Sequence, residues 1–131
     1  MKKVGIINQP IASVIAGLGH MDRVVIADAG LPIPPQAERI DLALTGGIPS
    51  FVDTLRVVLT EMMVERAIVA SEMREISPQV YEAVRQQLGD VPIETVPHVT
   101  FKELTASARA VIRTGEFTPY ANIILVAGVV F

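Results

Sequence analysis

Cysteine is absent from the 131 residues, which excludes disulfides and thiolate metal sites. No apolar run approaches the roughly 18 residues that a membrane helix needs, so no membrane partner is expected. Lys and Arg number 11 against 14 Asp and Glu, a net charge of −3. The cations form no basic cluster, which argues against nucleic acid as a partner. The start, Met1-Lys2-Lys3-Val4-Gly5, lacks a signal-peptide apolar region and cleavage site, and the chain is read as cytoplasmic. The two histidines lack a metal-ligand spacing such as H-x-x-x-H. No nucleophile elbow, Ser-His-Asp signature or P-loop is visible. Gly17-Leu18-Gly19 follows a helical pattern rather than a strand and has no third glycine, so it is not a dinucleotide loop.

Apolar content, by contrast, is plentiful. Half of the residues are hydrophobic, and the mean hydropathy of +0.46 is high for a small soluble domain. The length supports one domain with a real core, over residues 1–131, and is too short for two comfortable ones. Apolar surface in excess of that core is expected to be buried against other copies of the chain.

The stretch from Gly17 to Pro32 organises the rest. Val24-Val25-Ile26-Ala27 reads as a strand covered on both faces, with His20 just before it and Asp28 at its end. Ligands of open α/β sheets sit beyond the carboxyl ends of strands, which is where Asp28 falls. His20 is expected to reach that place either within the chain or in a neighbouring subunit.

The other elements follow from punctuation and period. A helix from about Pro10, capped by Asn8 or Gln9, carries the stripe Ile11, Val14, Ile15, Leu18 and ends at Gly17 and Gly19, with Gly19 as the residue past the cap. After the strand at about Arg23 to Asp28 comes a proline-rich loop. Ile40 to Leu44 alternates as an edge strand. Ser50 with Asp53 caps a long helix whose buried face runs Phe51, Val52, Leu55, Val58, Leu59, Met62, Met63. Arg66 to Ala70 is a strand. Ser77-Pro78 opens a helix by N-cap and proline logic, lined by Tyr81, Val84 and Leu88 and ended by Gly89. Pro92 to Val96 is a strand, and Thr100 with Glu103 is a capping box for a short helix. Strands at Ala110 to Arg113 and Ile123 to Ala127 flank a polar loop. Alternating strands and helices make a single α/β layered domain with a mostly parallel sheet flanked by helices. The final residues, Gly128-Val129-Val130-Phe131, stay apolar to the end; such a tail is expected to be buried in the fold or in a subunit interface.

His20, Asp28, His98, Lys102, Tyr120 and Asn122 fall in or beside loops and together offer acids, bases, donors and acceptors without a metal. Each also has a plain reading. A loop histidine is ordinarily solvated, Asp28 can cap the turn at Ala29-Gly30, Lys102 can be a solvated charge, and Tyr120 and Asn122 can be turn residues after Pro119. Glu116 is a further candidate that a solvated loop carboxylate would equally explain. Chemistry alone yields a small polar ligand and acid–base catalysis.

Several longer motifs go further. Gly17-Leu18-Gly19-His20-Met21-Asp22, Ile26-Ala27-Asp28-Ala29-Gly30-Leu31-Pro32, Ile40-Asp41-Leu42, Arg113-Thr114-Gly115-Glu116-Phe117-Thr118-Pro119-Tyr120-Ala121-Asn122 and the ending Gly128-Val129-Val130-Phe131 resemble, in order and position, the D-ribose pyranase and fucose mutarotase family. Ala29-Gly30-Leu31-Pro32 looks like the ribose branch, where fucose mutarotases tend to carry Asn followed by Phe-Pro. Gln9-Pro10 departs from the Ser-containing start of that branch and bears only on the first helix cap. The resemblance implies interconversion of pyranose and furanose forms of free D-ribose without a cofactor. His20 matches the proton donor, Asp28, His98 and Tyr120-Ala121-Asn122 match sugar-contacting positions, and Lys102 matches a lysine near the site. It also implies a ring-shaped homo-oligomer, a decamer in the ribose branch, with sites at subunit contacts. Fucose mutarotation and a non-catalytic sugar-binding role in ribose transport are the alternatives.

Overall fold

The computed structural model describes residues 1–131. The chain runs α1 (Gln9–Gly17), β1 (Arg23–Ala27), β2 (Glu38–Asp41), α2 (Phe51–Leu59), β3 (Val64–Ala70), α3 (Ser71–Ile76), α4 (Pro78–Leu88), β4 (Ile93–Val96), α5 (His98–Leu104), β5 (Ala110–Arg113) and β6 (Ile123–Ala127). Six strands form one sheet in the order β2-β5-β1-β6-β3-β4. The expected α/β architecture with a flanked sheet is what is observed. Three of the five strand pairings are parallel, and β6 runs antiparallel between β1 and β3. No helix is long and apolar enough to cross a membrane.

Alternation along the strands builds two cores. Val24 and Ile26 of β1 face a cluster that includes Ile11 of α1, Phe51 and Leu55 of α2, and Val84 of α4. Val25 and Ala27 face the other side, where Phe101 of α5, Leu31 and Ala37 pack. All four of these β1 residues have zero exposure, as the unbroken apolar run requires for a strand covered on both faces. β6, inserted beside it, is buried along its whole length.

The helix starts follow local chemistry in part. Asn8 caps α1 by accepting the Ile11 N–H, and Ser50 caps α2 by accepting the Asp53 N–H. β5, β6 and the Pro78 start and Gly89 stop of α4 also fall where expected, whereas several other boundaries are corrected. Gly19 has no left-handed backbone; α1 closes at Leu18 in extended conformation, and Met21 takes the positive φ of 70° instead. β2 lies at the edge as expected but ends at Asp41, because the Asp41 side chain accepts the Ala43 N–H and turns the chain. α2 stops at Leu59, so Met62 is still buried while Met63 is half exposed. Ser77 holds the N-cap position of α4 with Pro78 first in the helix, as expected, but its side chain makes no capping bond; the hydroxyl donates to the Pro119 carbonyl at 2.7 Å, tying α4 to the β5–β6 loop. α3 had no start signal, since Ala70 occupies its cap position without a side-chain bond.

The Thr100–Glu103 box is unused as well. α5 begins three residues earlier, at His98 instead of Phe101, and the cap comes from α3. Both carboxylate oxygens of Glu72 accept the His98 backbone N–H at 3.1 Å. His98 is therefore the first residue of a helix rather than a loop residue. The tail leaves the fold after the Gly128 N–H donates to the Met63 carbonyl. Val130 and Phe131 are 82% and 100% exposed, which overturns burial of the tail within the chain.

Candidate functional site

The C-terminal ends of β1 and β5 and the start of β6 lie together, because β6 is antiparallel to β1 with Ile123 opposite Ile26. An open cavity of about 310 Å³ sits there, and its lining includes Asp28, Gly30, His98, Lys102, Pro119 and Tyr120. That is the lower end of the size range of small-molecule sites. Two other grooves of similar size are mainly apolar, one along Met62 and Val91 and the other along Ile6, Ile11 and Val57. Neither gathers a comparable set of hydrogen-bonding side chains.

Asp28 is held by a reciprocal pair of bonds with Asn122. The Asp28 backbone N–H donates to Asn122 Oδ1 at 2.8 Å, and Asn122 Nδ2 donates to Asp28 Oδ2 at 2.9 Å. Asp28 Oδ1 accepts the Gly30 N–H at 3.0 Å, so the plain turn-capping role is real and coexists with a place in the cavity. Asn122 is 1% exposed and Ala121 fully buried. Both sit behind the cavity wall, where Asn122 fixes the carboxylate that lines it.

Tyr120 carries a left-handed backbone, φ 63°, which strains a non-glycine residue by about 1 kcal/mol or more. The conformation puts its ring edge-on to His98, at 5.0 Å between centroids and 82°. His98 lies nearly parallel to Phe101 at 6.2 Å. His98 Nδ1 is buried and makes no hydrogen bond within the chain. Lys102 follows His98 by one helical turn, on the same face of α5.

Groups not singled out from the sequence hold this wall in place. Burial alone would push the Glu72 carboxyl up; hydrogen bonds from its own backbone N–H, the Ser71 hydroxyl and the His98 N–H, with His98 nearby, hold it below the ordinary value. Arg113 donates through Nε to the Ala29 carbonyl and through Nη1 to both Asp41 oxygens at 3.1 Å, joining edge strand β2 to the Asp28 turn. Arg113 and Asp41 both lie inside the stretches that resemble the family, a signal the sequence carries. Glu72 had none, because its partner is 26 residues away.

Glu116 proves structural. It accepts the Phe51 N–H at the start of α2 and the Thr118 hydroxyl. Desolvation, which raises its carboxyl, is outweighed by those bonds and by the Thr118 and Phe117 N–H groups, so its pKa lies below the ordinary value. Gly115 before it must be glycine, since a Cβ would lie 2.4 Å from both the Thr45 and Ile48 carbonyl oxygens.

His20 is not in this cavity. It lies before β1 and Asp28 after it, separated by the five residues of that strand, about 16 Å at 3.3 Å per residue. At that opposite end Nε2 of His20 lies 2.8 Å from Oε2 of Glu65. Reach within one chain is thereby excluded. Of the candidates, Asp28, His98, Lys102 and Tyr120 converge, Ala121 and Asn122 back them, and His20 stands apart.

The profile of the RbsD / FucU transport protein family matches residues 1–130. The chain belongs to this family. Among RbsD / FucU relatives, the D-ribose pyranase of Laribacter hongkongensis is 57% identical over 131 residues, covering all of both chains. The structure of Bacillus subtilis RbsD complexed with D-ribose superposes with a TM-score of 0.98 at 50% identity, again over all of both chains. The fucose mutarotase of Streptococcus pneumoniae in complex with L-fucose is more distant, with a TM-score of 0.84 at 26% identity over the full length of both. The family expected from the motifs is the one found, and the ribose branch is the nearer of these.

Proposed function

We propose that this chain is an isomerase that interconverts the pyranose and furanose forms of free D-ribose, working in the cytoplasm as one domain over residues 1–131. The observation that carries the reading is the 57% identity to a D-ribose pyranase across the whole chain. The polar cavity supplies the chemistry. In ring opening the C1–O5 bond breaks, one proton leaves the anomeric hydroxyl and one arrives on O5, and C1 becomes a carbonyl. In closure the C4 oxygen bonds to C1, its proton leaves, and the carbonyl oxygen takes one up. Protons balance over the cycle, so an acid–base pair suffices and the reading calls for no cofactor or metal.

His20 is the donor, delivered into the cavity by a neighbouring copy. The roughly 16 Å of strand between His20 and Asp28 and the exposed Val130 and Phe131 support a ring-shaped homo-oligomer, a decamer on the family resemblance, in which sites lie at subunit contacts. Asp28, braced by Asn122, orients sugar hydroxyls as an acceptor, and Lys102 donates. The proton acceptor is one of two cavity groups, His98 or Tyr120.

The test is NMR exchange between the anomeric signals of pyranose and furanose ribose with and without protein. Faster exchange for ribose than for fucose is expected. Ribose binding without any acceleration would make the chain a sugar-binding accessory, and preference for fucose would make it a mutarotase of the other branch.

A further inference from the structure

We propose that Glu65 is a positioning residue for His20: its carboxylate holds the imidazole through Nε2 and leaves Nδ1 as the nitrogen that exchanges a proton with the sugar. The inference rests on the ring-exchange reading above.

The contact is 2.8 Å and joins residues 45 apart in sequence, so no local periodicity creates it. Backbone irregularity occurs at both partners. Between β3 and β6 the antiparallel register runs Val64↔Ala127 and then Arg66↔Val126, which leaves Glu65 as an extra residue in β3. A bulge of this kind bends the strand and re-aims a side chain, often beside a site of function. On the other side, Met21 follows His20 with φ 70°, a conformation that strains a non-glycine residue. It is held by the Met21 N–H on the Ala127 carbonyl at 2.9 Å and the Ala127 N–H on the Asp22 carbonyl at 2.8 Å. Asp22 in turn accepts the Gly19 N–H at 2.8 Å and meets Arg109 at 3.3 Å. Gly128 completes the arrangement, for a Cβ there would come within 3.2 Å of the Glu65 Cβ.

Stability does not account for this. The His20 and Glu65 side chains are 53% and 36% exposed, and exposed pairs of this kind contribute about 0–1 kcal/mol. Orientation does account for it. A carboxylate on one imidazole nitrogen fixes the ring and the tautomer. With the Nε2–H facing Glu65, the Nδ1–H is the proton that can be given to the ring oxygen. The neutral tautomer left behind keeps its hydrogen on Nε2, so Nδ1 can take a proton back when the furanose closes. Glu65 touches no reacting atom in this scheme.

The experiment compares wild type, Glu65→Gln, Glu65→Ala, His20→Ala and the double variant His20→Ala/Glu65→Gln. It reads kcat and KM for ribose exchange by NMR, ribose affinity by calorimetry and mass by light scattering. Glu65→Ala is expected to lower kcat about tenfold, a share of the roughly 10²–10⁴ that general acid–base catalysis contributes. Glu65→Gln, which keeps an acceptor and drops the charge, falls less. KM and affinity stay within about twofold in both, because ground-state binding is untouched. Adding Glu65→Gln to His20→Ala changes nothing further, the non-additivity expected of residues acting as a unit. A normal kcat in both Glu65 variants beside a slow His20→Ala overturns this inference and leaves the function standing. An equal extra loss in the double variant, or dissociation of the isosteric Glu65→Gln protein, also overturns it by making Glu65 merely structural. His20→Ala at the wild-type rate removes the donor role of His20 and this inference with it.

Discussion

Replacing Asn122 with alanine tests whether Asp28 is preorganised for the sugar by the residue behind it. Asn122 is 1% exposed and makes two bonds to Asp28, one to the backbone N–H and one to the carboxylate. Removing the amide strands the Asp28 N–H, at a cost of about 1–3 kcal/mol for a buried unsatisfied donor. The lost bond to the carboxylate is partly replaced by water, since Asp28 is only half buried. A destabilisation of about 2–4 kcal/mol results. Asp28 keeps its bond to the Gly30 N–H but loses the brace on its other oxygen, so ribose affinity falls along with stability. Urea unfolding at fixed protein concentration, to hold the assembly equilibrium constant, and calorimetric ribose binding are the two readouts. Lower stability with unchanged affinity in the assembled variant would refute the reasoning, because Asn122 would then support the fold and not the ligand site. Asn122→Asp provides a signed control. It sets two carboxylates about 3 Å apart, and its damage should shrink as pH falls and one of them takes a proton.

His20→Ala should stay assembled, bind ribose and lose at least about tenfold in exchange rate, whereas Asp28→Asn should lose affinity and rate together; calorimetry paired with NMR exchange checks both, and an unchanged rate in His20→Ala moves the donor role to Tyr120 or His98. Light scattering should give a mass far above the 14.1 kDa of one chain. Deleting Val129 to Phe131 should weaken both assembly and exchange, and full activity in a stable truncated monomer would contradict a shared site. Such a deletion acts at the His20 end of β6, since Ala127 bonds to Met21 and Asp22, and not at the Tyr120 end. Glu116 and Glu72 titrate below their ordinary value of 4.5 when folded. Each therefore contributes stability that is present above about pH 4.5 and lost as pH falls through the lower folded value. Glu116→Gln should flatten the acid limb of an unfolding-versus-pH curve, and an unchanged limb would count against this.

How much could be read without coordinates differs by element, and the reason is the range of the interaction. The β1 run Val24 to Ala27, the Asn8 and Ser50 caps and the Gly89 stop are local: residues within four positions decide them, so their signals survive in a linear text. The motifs around Asp28 and Tyr120-Ala121-Asn122 likewise marked the cavity wall, and the same stretches marked the family. The antiparallel insertion of β6 between β1 and β3 is different. Nothing in Ile123 to Ala127 states a direction, because an apolar strand buried on both faces pairs equally well either way by pattern. That single topological fact brings Asn122 behind Asp28 and carries the tail to the far end of the sheet. Distant partners also replaced local ones. Glu72 caps the helix that the Thr100–Glu103 box was expected to start, and the Ser77 hydroxyl serves the Pro119 carbonyl instead of its own helix. The separation of His20 from Asp28 is likewise tertiary. Eight positions in sequence look close, but five of them are extended strand, and an extended chain converts sequence proximity into distance at about 3.3 Å per residue.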